Sequence, residues 1–146
     1  MGRESLSVLE DTNIRGSMST IVDLEDVKKE YPLGKVTVHA LRGVTLSIDR
    51  GDFVTIAGPS GSGKTTLLNQ IGCVDVPTSG NVRINGQSTS ALSERELTDL
   101  RLHTLGFIFQ TFNLVSVLDV AQNIELPLLL KGGFSRSERE DRVDSL

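Results

Sequence analysis

The chain has 146 residues, 38% of them hydrophobic and 23% charged, an ordinary composition for one soluble domain and long enough to bury a core. A formal net charge of −4 offers no broad basic surface, which argues against nucleic acid as the partner. The densest apolar run, LPLLL at 126–130, is far too short to span a bilayer, and a single cysteine, Cys73, excludes an internal disulfide.

The opening segment, MGRESLSVLEDTNIRGS, is polar and lacks the apolar centre of a secretory signal. Residues 1–19 are expected to form a disordered extension, with Met18 an alternative start. IVDLEDVKKEY (21–31) starts with apolar residues at alternate positions and then loses register, as a strand with an irregularity does. KVTVHAL (35–41) and GVTLSID (43–49) alternate more cleanly, with Gly34, Gly43 and the RGD at 50–52 as turns between strands. The first fifty residues therefore predict a small, largely antiparallel sheet. DFVTIA (52–57) is a β-branched and aromatic run of the kind buried on both faces. A glycine loop follows, and then Leu67, Leu68, Ile71 and Val74 recur with helical spacing. Cys73 reads as a small buried helix residue rather than a reactive thiol, since no basic neighbour in sequence would lower its pKa.

GNVRING (80–86) predicts another short strand, and Ser93 with Glu96 a capping box at a helix start. LGFIFQ (105–110) reads as a second buried strand. A helix is expected over 117–126, kinked or ended by Pro127, and Ser135 with Glu138 opens another helix. His39, within an alternating strand, and His103, at a helix end, read as structural or exposed rather than catalytic.

The chemistry sits in GPSGSGKTT, residues 58–66. Gly58, Gly63, Lys64 and Thr65 satisfy G-x-x-x-x-G-K-S/T, the Walker A pattern. The glycines of the run Gly58, Pro59, Ser60, Gly61, Ser62 and Gly63 let the backbone curl so that successive N–H groups, from about Ser60 to Thr66, face one concave nest. The helix that follows adds unpaired amides and the positive end of its dipole. Lys64 reaches β- and γ-phosphates as a point charge, the Thr65 hydroxyl suits Mg²⁺, and Thr66 is placed for the α-phosphate. A flexible Gly/Ser turn is the plainer explanation, but a chance match in a chain of this length is on the order of one in a few hundred. The strand before it and the helix after it supply the context the pattern needs.

The order KEYPLGKVTVHALRGVTLSIDRGDFVTIAGPSGSGKTTLLNQIGC, then PTSGNVRING, then LGFIFQTFNLVSVLDVAQNIELPL, resembles the ATP-binding subunit of an ABC transporter, most of all the lipoprotein-release and macrolide-export branch. The resemblance runs from about Thr20 to the last residue. It implies an α/β fold: a P-loop NTPase core with an N-terminal antiparallel β subdomain and the start of the helical subdomain. It implies ATP and Mg²⁺ as ligands. Tyr31 matches the family's adenine-stacking aromatic, the alternative being a plain strand-end residue. Gln110 matches the glutamine that senses Mg²⁺ and the attacking water. The segment after it, with Phe112, Leu114, Val117 and Leu118, corresponds to the contact with the membrane subunit, though these residues suit a core equally well. Transmembrane permease subunits and a homodimer of nucleotide-binding subunits are the implied partners. A cytoplasmic position on the inner membrane face is the implied location.

Three parts of the family pattern are absent: an LSGGQ signature, an apolar strand ending in Asp-Glu, and a switch histidine. KGGF (131–134) lacks the flanking Leu-Ser and Gln, and His103 precedes Gln110. The carboxylate that orients water in such sites is worth roughly 10²–10⁴-fold in rate. Residues 20–146 are therefore expected to be the N-terminal part of a nucleotide-binding domain, in a truncated record, with half a catalytic site and poor solubility. A nucleotide-binding regulatory module without catalysis is the alternative. A GTPase or small-molecule kinase is disfavoured, since no Asn-Lys-x-Asp segment occurs.

Overall fold

The computed structural model describes residues 7–10 and 20–146. It divides into two units, one up to Leu100 and one from Arg101 to Leu146. Of the extension expected over 1–19, residues 1–6 and 11–19 lie outside the described residues. Ser7–Glu10 is a strand, β1.

Alternation carries Val22 and Leu24 to one face of β2 (Thr20–Leu33), and both are buried. Register then slips between Leu24 and Val27 in the pairing with β3 (Val36–Asp49). Asp26 adopts a positive φ of 45°, and its amide donates to Thr45 Oγ1 at 3.1 Å. This bulge puts Val27 back on the buried face, which explains the broken alternation in the sequence. Across from it stands Gly43, φ 96°, where a Cβ would meet Asp26 Oδ1 at 2.5 Å. Gly43 is thus an irregularity inside one continuous strand and not the turn between two strands that its composition suggests. Gly34 and Lys35 do form the tight turn joining β2 to β3.

β5 (Ser79–Ile84) pairs antiparallel with the other edge of β2, setting Val82 opposite Leu24 and Ile84 opposite Val22. β6 (Gln87–Ser88) completes an antiparallel sheet in the order β3-β2-β5-β6. Val22, Leu24, Val27, Leu41, Leu46, Val82 and Ile84 from this sheet are buried with Leu67, Cys73 and Leu97. Leu97 belongs to α2 (Glu94–Thr104), whose start carries the expected Ser93–Glu96 box: the Ser93 amide donates to Glu96 Oε2 at 2.8 Å. Cys73 is buried as expected, but it lies past the end of α1 (Lys64–Ile71) with φ 55°, not within a helix.

Two expectations of buried strands are corrected, the first in its burial and the second in the strand itself. β4 (Val54–Ala57) forms, but it is only part-buried, and Phe53 before it is exposed. Its paired neighbour among the described residues is β1, antiparallel, with Val8 opposite Ile56. Residues 105–110 form no strand; Ile108 is fully exposed, and Phe107 and Phe109 stack on each other at 5.6 Å. An apolar run becomes a strand only when another backbone takes up its N–H and C=O groups, and no described segment pairs with this one.

The second unit is a helical hairpin. α3 runs Val120–Lys131 through Pro127, so the proline does not end the helix: the Gly132 amide still reaches Leu128 O at 3.0 Å. Asp119 and Gln122 cap its start reciprocally. The Asn123 side chain adds bonds to the carbonyls of Val115, Leu118 and Asp119, tying the preceding turn to the helix. α4 (Arg136–Asp144) opens with the expected Ser135–Glu138 box and is joined to α3 by Arg139–Glu125 at 2.7 Å.

Candidate phosphate-binding site

Residues 58–63 connect β4 to α1, the strand–loop–helix order the motif requires. Gly61 and Gly63 hold φ of 78° and 96°, a region that only glycine enters without strain. At Gly63 there is a second reason. A Cβ there would stand 2.6 Å from the carbonyl oxygen of Ala40 and 3.3 Å from Leu41 Cδ2, so the loop is seated directly on β3. Below it, Leu67 is fully buried and anchors the first turn of α1.

The loop is closed by its own groups. The Ser62 amide donates to Pro59 O at 3.2 Å. Lys64 Nζ donates to Gly58 O and Pro59 O, both at 2.8 Å, so its ammonium already lies across the loop mouth. Lys64, Thr65 and Thr66 occupy the first turn of α1, where backbone amides have no carbonyl one turn earlier to bond. The first turn carries no acidic side chain to compete for these donors. Gly58, Pro59, Ser60, Gly61 and Thr65 are exposed, leaving the amides and the Thr65 hydroxyl open to a ligand. Ser62 Oγ is buried with no partner, an unused donor and acceptor inside the loop.

The donor chemistry suits a triphosphate with Mg²⁺. Among the described residues no cluster of His, Cys, Asp and Glu could hold a metal ion by itself. A single threonine hydroxyl beside a phosphate nest fits a cation bound mainly through phosphate oxygens and water.

Tyr31, at the end of β2, lies in the same unit as the loop, and its ring is part-exposed. Its hydroxyl donates to Asp75 Oδ2 at 2.8 Å, and Lys29 Nζ sits 5.1 Å from the ring centroid. Burial first, and then the bond to Asp75, raise the phenol pKa, while the Thr66 hydroxyl acts the other way. Burial alone would raise the Asp75 carboxyl, but the hydrogen bonds from Lys29 and Tyr31 outweigh it and hold the carboxyl below its ordinary range. Gln110 lies in the other unit, exposed, on backbone without regular structure. Phe112, Leu114 and Val117 are exposed too, so in this chain they are not core. His39 hydrogen-bonds Glu30 at an exposed strand position and His103 lies in the last turn of α2; neither is near the loop in sequence. Lys29 and Asp75 carry no motif of their own, and sequence reading passed over both. The nearest signal was the position of Lys29 two residues before the aromatic, on the same strand face.

Comparison with known proteins agrees with this geometry. The ABC transporter family profile matches residues 41–146. An uncharacterized ABC transporter ATP-binding protein of Methanocaldococcus jannaschii, MJ0796, is 47% identical over 125 residues, covering 84% of this chain and 53% of that protein. A macrolide export ATP-binding/permease protein, MacB, of Mannheimia succiniciproducens is 44% identical over 126 residues, covering 86% of this chain and 19% of that one. Among solved structures, a dimeric post-hydrolysis state of the MJ0796 cassette bound to ADP and Pi superimposes with a TM-score of 0.77 at 42% identity, over 86% of this chain and 55% of that one. The chain spans about half the length of the ATP-binding protein it matches, and that half contains the phosphate loop. With its strand–loop–helix site, its antiparallel β subdomain and more than two-thirds of its length inside the family profile, the chain belongs to the ABC transporter family.

Proposed function

We propose that the chain binds Mg·ATP at Gly58–Thr66 and serves, within an intact subunit, to energise a membrane transporter by binding and hydrolysing ATP. The observation that carries this reading is the loop itself. Gly63 is pressed onto β3, and Lys64 bridges the carbonyls of Gly58 and Pro59, so the loop's own groups hold it in the shape of a nest. Binding then costs little reorganisation: Lys64 exchanges two carbonyl oxygens for phosphate oxygens. Mg²⁺, when bound, neutralises charge on the β- and γ-phosphates. Thr65 offers it a hydroxyl, Thr66 faces the α-phosphate, and Tyr31 takes the adenine. Gln110 is assigned to Mg²⁺ and the attacking water by its match to the family.

Two such subunits are proposed to pair around ATP, a reading supported by the dimeric cassette to which this chain is similar. The exposed Phe112, Leu114 and Val117 supply an apolar face for a transmembrane permease subunit, which would hold the protein at the inner face of the cell membrane. No helix among the described residues is long and apolar enough to cross a membrane. The test is calorimetric. Folded protein titrated with Mg·ATP should bind it saturably and hydrolyse it at no more than a trace rate; absence of heat, or brisk turnover by this chain alone, would overturn the reading.

A further inference from the structure

We propose that Lys29 and Asp75 form a clamp that sets the Tyr31 ring as the platform for the nucleobase, acting as positioning residues for the adenine end of ATP. The proposal rests on the reading of Gly58–Thr66 as the ATP site.

Tyr31 stands near the end of a hairpin, paired with Val38, with exposed Leu33 and Val36 beyond it. An aromatic there would ordinarily sample several rotamers, and a base that stacks on it would have to order it first. Here the ring is held from two sides. Asp75 Oδ2 accepts from its hydroxyl at 2.8 Å. Lys29, two residues earlier and so on the same strand face, lays its ammonium over the ring. The two clamp residues hold each other as well, with Lys29 Nζ 2.6 Å from Asp75 Oδ1.

This pair is not a loose surface contact. The side chains are only 12% and 26% exposed, and Lys29 Nζ also donates to Val76 O at 2.8 Å. The Val76 amide in turn donates to Asp75 Oδ1 at 2.8 Å. Asp75 is itself fixed to α1, since the amides of Val74 and Asp75 both reach Asn69 O. α1 is the helix whose other end forms the phosphate nest. Eight residues of helix, about 12 Å, thus join the ring's anchor to the lysine that meets the phosphates.

The ammonium covers one face of the ring and leaves 37% of Tyr31 exposed for a base. Drawing π density toward that ammonium makes the open face a better partner for the electron-rich face of a purine. Binding at the nest therefore presents the nucleoside to a ring that needs no further ordering.

Tyr31 is the only tyrosine of the chain, which has no tryptophan, so tyrosine emission reports this ring alone. The experiment compares Mg·ATP with Mg·tripolyphosphate, which has the phosphates without the base, by calorimetry and by tyrosine emission. Unaltered protein should bind ATP more tightly than tripolyphosphate, and only ATP should quench the emission. Asp75→Asn and Lys29→Met should each weaken ATP by roughly five- to twentyfold, within the range of one stacked base, and leave tripolyphosphate affinity within a factor of two. Lys29→Arg should restore most of the loss. Retention of tripolyphosphate binding shows that the variants are folded at the loop. ATP affinity unchanged in both variants, or ATP and tripolyphosphate falling together, would overturn the clamp. Unaltered protein that binds both ligands equally would also overturn it while leaving the phosphate site standing. Binding of neither would remove the ATP reading and the clamp with it.

Discussion

Gly63 rests on Ala40: the nearest β3 atom to a Cβ at this position would be the Ala40 carbonyl oxygen, 2.6 Å away. The phosphate loop is therefore shaped from below by the antiparallel sheet as much as by its own glycines. Gly63→Ala should push the loop off β3, costing roughly 1–3 kcal/mol of stability from overpacking in addition to about 1–2 kcal/mol for a left-handed alanine. Gly61→Ala separates the two effects. It shares the positive φ but meets no atom within 4 Å, so it should show the backbone term alone. Urea denaturation of both variants checks this, and equal losses would mean that the contact with Ala40 does not matter.

Lys64 Nζ donates to Gly58 O and Pro59 O, and in the proposed site it is the side-chain cation directed at the phosphates. Lys64→Ala should reduce Mg·ATP affinity at least a hundredfold, since a hydrogen bond to a charged group is worth about 1.5–3 kcal/mol and both of the bonds that Lys64 turns to phosphate oxygens are lost. Calorimetry should show no measurable binding, and thermal stability should change little because the group is near the surface. Binding retained within tenfold would remove Lys64 from the site.

In the proposed site Tyr31 meets the base by its face, and a face does not distinguish one purine from another. Tyr31→Ala should weaken ATP and GTP alike by roughly 1–3 kcal/mol, with tripolyphosphate unaffected. A loss confined to ATP would mean that hydrogen bonds, and not stacking, read the base.

Local signals were legible where the physics is local. The hairpin turn at Gly34, the Ser93–Glu96 and Ser135–Glu138 boxes, and the glycine pattern of the loop each need only neighbouring residues, and each appears in the structure. Gly43 misled because a glycine at positive φ serves a turn and a bulge equally well; only its partner Asp26 on the facing strand decides between them. Pro127 does not end the helix, because its missing amide removes one bond from a helix whose start is reinforced by Asp119, Gln122 and Asn123. DFVTIA and LGFIF carry the composition of buried strands, yet burial depends on what lies alongside, which composition does not encode. The Lys29–Tyr31–Asp75 cluster was invisible for the same reason: 46 residues separate Lys29 from Asp75, and no motif links them.

The ion pair gives stability an acid limb with a definite sign. Asp75 has its carboxyl held below the ordinary range, so the unfolded chain takes up this proton first as pH falls. Its contribution is whole above the ordinary carboxylate value and disappears as pH drops through the lower folded value. The stability difference between unaltered protein and Asp75→Asn should accordingly be constant near neutrality and shrink in acid. Tyr31 sets the alkaline counterpart. Its raised phenol stabilises the fold up to the ordinary tyrosine value, and that contribution is lost as pH rises through the folded one. Phenolate absorbance of this single tyrosine should titrate higher in the folded chain than in denaturant, and higher than in folded Asp75→Asn.

Phe107, Ile108, Phe109, Phe112 and Leu114 expose apolar surface along a short stretch of backbone without regular structure. Side chains of this size are each worth about 1.5–3 kcal/mol when removed from water, so two copies of the chain gain by covering them against each other. The backbone of 106–110, which pairs with no described strand, favours an edge-to-edge association of the same kind. The purified chain should self-associate at micromolar concentration, and Ile108→Lys combined with Phe112→Lys should shift it towards monomer. Neither residue belongs to the phosphate loop, so Mg·ATP affinity should hold in the double variant. Sedimentation velocity with and without the substitutions checks the point. An unaltered chain that stays monomeric, or a double variant that associates as strongly, would show that this stretch does not drive assembly.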